Sequence, residues 1–142
     1  PIPGHISGVT VYGDQRGAAV SDYDGDGRID LAVSQNGART LLFHNERATP
    51  GLRVRLVGSE TNPDAIGAMV RIGYAGGRGP ARELQAGAGY WSSHGLVQVF
   101  GTPWNPTVVW VRWPGGDVTE TAIDPEARDV VIGADGRLLR TR

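Results

Sequence analysis

The chain has no cysteine in its 142 residues. A disulfide framework, a zinc-thiolate site and a cysteine nucleophile are therefore excluded together. It has no lysine either: all fourteen basic residues are arginine, and against fifteen acidic residues they leave a formal charge of -1. That balance gives no basic field to draw in nucleic acid or an anionic membrane, and no acidic excess of the kind that keeps a tail disordered. Long apolar runs are also missing. None approaches the ~18 residues of a membrane-spanning helix, so no membrane insertion is expected. The length fits one domain, or a small module joined to a longer one. The first residue is proline and not methionine, and the expectation is a piece of a longer protein.

What the chain has in quantity is punctuation. Its 22 glycines and 9 prolines cut the apolar residues into runs too short for a helix. The segments ISGVTVY, IDLAVSQ, TLLFHN, LRVRLVG, MVRIGYA, LVQVF, VVWVRW and RDVVIG are rich in β-branched and aromatic residues, and predict an all-β fold. Two of them carry a clear two-residue period. Leu52, Val54 and Leu56 point one way and Arg53 and Arg55 the other, while Val109, Val111 and Trp113 oppose Val108, Trp110 and Arg112. Half-buried antiparallel sheets account for both. Turn signals at Ala75 to Gly79, Pro114 to Asp117 and Ala134 to Gly136 predict hairpins. A composition shift at Thr49, Pro50 and Gly51 marks the expected boundary between a small N-terminal unit and a longer C-terminal one.

The stretch DYDGDGRID, Asp22 to Asp30, packs four carboxylates into nine residues. Asp22, Asp24, Asp26 and Asp30 stand at positions 1, 3, 5 and 9, where a loop curling around a point can aim them inward, and the carbonyl of Arg28 at position 7 can join them. So many charged oxygens are stable together only around a hard cation, and calcium takes six to eight oxygens at about 2.3 to 2.6 Å with loose geometry. Gly25 and Gly27 provide the backbone angles that close such a loop. An EF-hand is ruled out, because position 12 is Val33 where that motif needs glutamate, and IDLAV reads as a strand and not a helix.

The run GDQRGAAVSDYDGDGRIDLAVSQNGARTLLFHNE resembles one FG-GAP or VCBS repeat, a strand-loop-strand unit with a calcium-binding loop. The stretches GLRVRLVGSETNPDAIGAMVRI, ARELQAGAGYWSS and VVWVRWPGGDVTE resemble, in order, the ASPIC/UnbV domain that follows such repeats in the cartilage acidic protein-like family. Pro1 and Pro3 predict an extended start, an arm over residues 1–12 ahead of the match. The resemblance implies a calcium-binding repeat over 13–48 and a sandwich or barrel-like β domain over 51–142. It further implies a secreted or cell-surface protein with a structural role. The family carries several repeats where this chain has one, and a lone blade leaves unpaired strand edges. The expected partner is accordingly another copy of the chain, joined through those edges or the N-terminal arm into a surface or matrix fibre.

Other chemistry is thinly supported. His5, His44, His94, Ser92, Ser93, Glu83 and Asp64 include no pattern that selects a catalytic pair or triad, and a non-enzyme is expected. Tyr90 and Trp91, which follow a glycine-rich stretch, are candidates for exposed faces that stack on sugars. A carbohydrate-binding or adhesive domain is the alternative reading.

Overall fold

The computed structural model describes residues 2–142, and its regular secondary structure is almost wholly β-strand. The N-terminal unit is an antiparallel meander of β1 (Gln15–Ser21), β2 (Asp30–Gln35) and β3 (Ala38–Phe43), in that spatial order. The acidic loop joins β1 to β2, with Ser21 facing Asp30 in register at its base. Since IDLAV does enter β2 directly from the loop, the surroundings are those of a hairpin and not of an EF-hand.

The segment before β1 departs from expectation. ISGVTVY forms no strand, and the arm is not extended throughout: Gly4–Ser7 makes a single helical turn, α1, closed by Gly8 at φ 77°. Proline is tolerated at the start of a helix because the N–H it lacks has no partner there, so Pro3 is compatible with a turn that begins just after it. Pro1 lies outside the described residues. His5 to Val9 share a cleft with Leu31, Leu42 and Phe43, so the arm leans back over one face of its own sheet.

The C-terminal unit holds two further sheets. One runs β10 (Val118–Ala122), β9 (Val108–Arg112), β5 (Met69–Tyr74), β6 (Gly77–Arg78), with β7 (Arg82–Glu83) also paired to β5. The other runs β12 (Leu138–Thr141), β11 (Asp129–Gly133), β4 (Leu52–Val57), β8 (Gln98–Phe100). Their inner faces meet in one core. Leu52, Val54, Leu56, Val130 and Ile132 face Val70, Ile72, Val109, Val111 and Trp113, and each contributes on the order of 1.5 to 3 kcal/mol by leaving water. The two-residue alternation in β4 and β9 falls as the sequence predicts, and the three turn signals all join hairpin strands.

One pairing differs. β4 lies parallel to β11 and antiparallel only to β8. Parallel neighbours need a long crossover, and the more than seventy residues between the two strands allow it. Strands β1, β6, β7, β10 and β12 fall outside the eight predicted segments. In β10 the inward side chains are threonines: Trp113 Nε1 donates to Thr119 Oγ1 at 2.9 Å, and Thr121 Oγ1 donates to the Gly136 carbonyl at 2.7 Å. Bonded hydroxyls can therefore face a core that the hydrophobic pattern alone would have left open.

Among the described residues none before Leu52 belongs to that core, and Val33 is the one buried apolar side chain of residues 2–48. The small sheet is held by what it touches on the larger unit.

Candidate metal centre

The loop is organised by its own aspartates. Asp22 and Asp30, at its two ends, are buried. Asp22 Oδ1 accepts the Gly25 N–H at 2.8 Å and Oδ2 accepts the Gly27 N–H at 3.0 Å. Asp24 Oδ1 accepts from the Asp26 backbone at 3.2 Å, and Asp26 Oδ1 from the Arg28 backbone at 2.8 Å. Gly25 and Gly27 take φ of 81° and 82°, a region other residues avoid, and this lets the chain fold its carboxylates inward. Asp30 is pinned from both sides, by the Tyr23 N–H at 3.2 Å and the Asn45 N–H at 2.8 Å.

Asp22, Asp24 and Asp30 each bring a carboxylate oxygen within 4.8 Å of the others. Two oxygens on opposite sides of a calcium ion would be about 4.6 to 5.2 Å apart, so this trio fits such an ion. Asp26 is not in the same cluster. It joins Asp24 and His44 in a second one, with His44 Nε2 at 3.0 Å from Asp24 Oδ2 and 3.6 Å from Asp26 Oδ2. Arg28, expected to offer its carbonyl, also turns its guanidinium onto the loop: Nη1 meets Asp26 Oδ2 at 2.5 Å and Nε donates to the Ala48 carbonyl at 2.6 Å. Desolvation raises the Asp26 carboxyl. The bonds from Arg28, the charge of Arg28 and the His44 contact together outweigh this, and the group is held below its ordinary value of 3.8.

Two residues at the centre were invisible as partners in the sequence. His44 follows β3, and the hairpin register that pairs Leu31 with Phe43 places it beside the loop. Reading that register would have found it. Arg53 comes from β4 of the larger unit: its Nε donates to Asp22 Oδ2 at 2.7 Å, and its Nη1 pairs with Asp129, which also meets Arg140 at 3.2 Å. Arg53 had been read only as an outward-facing strand residue, and spacing gives no signal that it reaches a loop 31 positions away. Just behind the loop, Gly51 N–H donates to the Gly27 carbonyl at 2.8 Å, so the expected boundary is packed against the site.

The remaining candidates lie apart from the loop. Tyr90 and Trp91 are 66 % and 81 % exposed, and their rings stack with centroids 5.6 Å apart and 12° between planes. Trp91 takes φ 50°, and a narrow turn between Gly89 and Ser92 carries the pair. Ser92 and His94 each accept a backbone N–H from β1, while Ser93 Oγ reaches the Ala86 carbonyl at 3.5 Å. His5 is on α1 in the arm and Glu83 is on β7.

No curated protein matches the chain. The ASPIC and UnbV family profile matches residues 58–136, more than half of the length, and covers the strands from β5 to β11. On that match the chain belongs to the ASPIC and UnbV family.

Proposed function

We propose that the chain is an extracellular calcium-binding structural module, in which residues 13–48 act as an FG-GAP/VCBS-type repeat and the ion holds the loop between β1 and β2 together. The observation that carries this reading is the convergence of Asp22, Asp24 and Asp30 within 4.8 Å, with both buried members fixed by backbone N–H groups. Once bound, calcium would neutralise carboxylates that otherwise repel one another, and its binding energy would add to folding stability. Asp22, Asp24 and Asp30 would hold it. Asp26, paired to Arg28, shapes the loop. The test is titration of EDTA-stripped protein with CaCl2 by calorimetry. One calcium per chain, lost in Asp24→Ala and kept in His44→Ala, is the expected result, and no heat in the wild type would end the calcium reading.

As a structural module it would associate with further copies of itself through β3, which pairs with β2 alone among the described residues. Leu42 stands exposed on this strand. Sedimentation velocity across a concentration series tests this, and a monomer at every concentration with calcium present refutes it. The exposed, stacked Tyr90 and Trp91 favour a second reading, a sugar-binding face. Its test is quenching of tryptophan fluorescence by neutral oligosaccharides that is lost in Trp91→Ala.

A further inference from the structure

An edge strand presents free backbone groups on every second residue, and each is an invitation to another strand. On β1 those groups belong to Ala18 and Val20, since the intervening residues face the β2 ladder. The N–H groups of both are already taken, and so is the Val20 carbonyl. The Ala18 N–H donates to Ser92 Oγ at 3.0 Å, the Val20 N–H donates to His94 Nδ1 at 3.2 Å, and the Val20 carbonyl accepts the Gly95 N–H at 2.9 Å. The donors are satisfied by two side chains from a loop that contains no strand, so nothing new is offered on the far side. The approach is close: a β-carbon on Gly17 would lie 2.8 Å from the Trp91 carbonyl oxygen and 2.9 Å from Ser92 Oγ.

We propose that the ASPIC/UnbV domain of this chain works as an edge cap, whose 86–95 loop closes the outer side of β1 and stops strand addition there. Terminal caps of this kind are what a repeated β architecture needs to stay soluble. The domain recognises the adjoining blade by two independent features: the N–H spacing of its edge strand, read by Ser92 and His94, and the buried carboxylate of Asp22, read by Arg53. The cap deepens the structural-module reading, because it leaves growth of an assembly to the β3 side alone. The Ser92 and His94 contacts that close the edge involve none of the loop's carboxylates.

The test uses the full chain carrying Ser92→Ala and His94→Phe, which remove both acceptors, beside Ser92→Thr, which keeps its hydroxyl, and Ser93→Ala as a control on the same loop. Amide exchange of Ala18 and Val20 is followed by NMR and mass by sedimentation velocity. In the wild type these two amides should exchange at least ~10-fold slower than the outward-facing amides of β3. The double variant should lose that protection and sediment as larger species, while Ser92→Thr and Ser93→Ala behave as wild type. Should the double variant lose its fold, Ser92→Ala alone is read at Ala18 against Ser92→Thr, with mass followed in the same way. Equal exchange at β1 and β3 in the wild type overturns the proposal, and so does a variant with an opened β1 edge that keeps the wild-type mass. A failed calcium titration would leave these readouts intact and sink only the calcium reading.

Discussion

Replacing Arg53 with methionine should destabilise the protein through a residue that lies outside the hydrophobic core. The side chain of Asp22 is fully covered, while that of Arg53 is only 20 % exposed. Removing one partner of a buried ion pair typically costs about 3 to 5 kcal/mol, because a charge is left buried without compensation. Here the carboxylate keeps its bonds from Gly25 and Gly27, at 2.8 and 3.0 Å, and Asp129 keeps Arg140. Discounting for those contacts and for the partial exposure of Arg53 leaves roughly 2 to 3 kcal/mol. In a domain of this size, that lowers the melting temperature by about 6 to 12 °C. The assay is urea unfolding in EDTA for wild type, Arg53→Met, Asp22→Asn and the double variant. The double variant should be less destabilised than the sum of the singles, since the orphaned charge is gone. In excess CaCl2 the Arg53→Met loss should shrink, because the ion takes over part of the neutralisation of Asp22. A loss under about 0.5 kcal/mol in EDTA would refute the reasoning, placing the pair among surface bridges of little worth.

Chelation should lower the melting temperature of the wild type, by an amount that grows about 1.4 kcal/mol for each tenfold excess of calcium over its dissociation constant, and Asp24→Ala should reproduce most of that loss; identical melting curves with and without EDTA count against it. Asp26 has a folded value depressed below 3.8, so the stability it contributes is present above that pH and is lost as pH falls through the lower folded value. Asp26→Asn should therefore flatten the acid limb of stability against pH below about 4, and an unchanged limb would show that the Arg28 contact is idle. Gly67→Val should cost at least ~1 to 2 kcal/mol, since Gly67 sits at φ 87° where a branched side chain is strained. Ser59→Val, at an exposed turn position, should cost under ~0.5 kcal/mol, and equal losses from the two would contradict the assignment.

The Gly67 comparison shows how sequence and structure divide the work. In DAIGA the glycine stands between two small residues, Ala65 and Ala68, both buried, and such a string marks a place where a β-carbon disturbs the chain. The reason lies in the backbone angle and not in crowding: the nearest atom to a β-carbon at Gly67 is Pro114 Cγ at 3.8 Å, an ordinary contact. Asn62 fixes the bend by bonding both the N–H and the carbonyl of Ile66, at 3.0 and 2.9 Å. A dihedral angle is not written in a side-chain pattern, although a glycine hints at it.

The chain's own sequence determined what depends on neighbours along the backbone. The β class, the inward faces of β4 and β9, the three hairpin turns and the crowding of aspartates between Asp22 and Asp30 all follow from alternation, turn residues and local charge. Tertiary structure alone decided what depends on contacts between distant segments. It set β4 beside β11 in parallel and folded the arm back at Gly4–Ser7, where a proline-led start was expected to stay extended. It also divided the loop's carboxylates, giving Asp26 to His44 while Asp22 went to Arg53. Hydrophobic period and turn chemistry act over a few residues and leave a mark in composition. A buried charge finds its counter-ion through space, and the chain between Asp22 and Arg53 need carry no trace of the pairing.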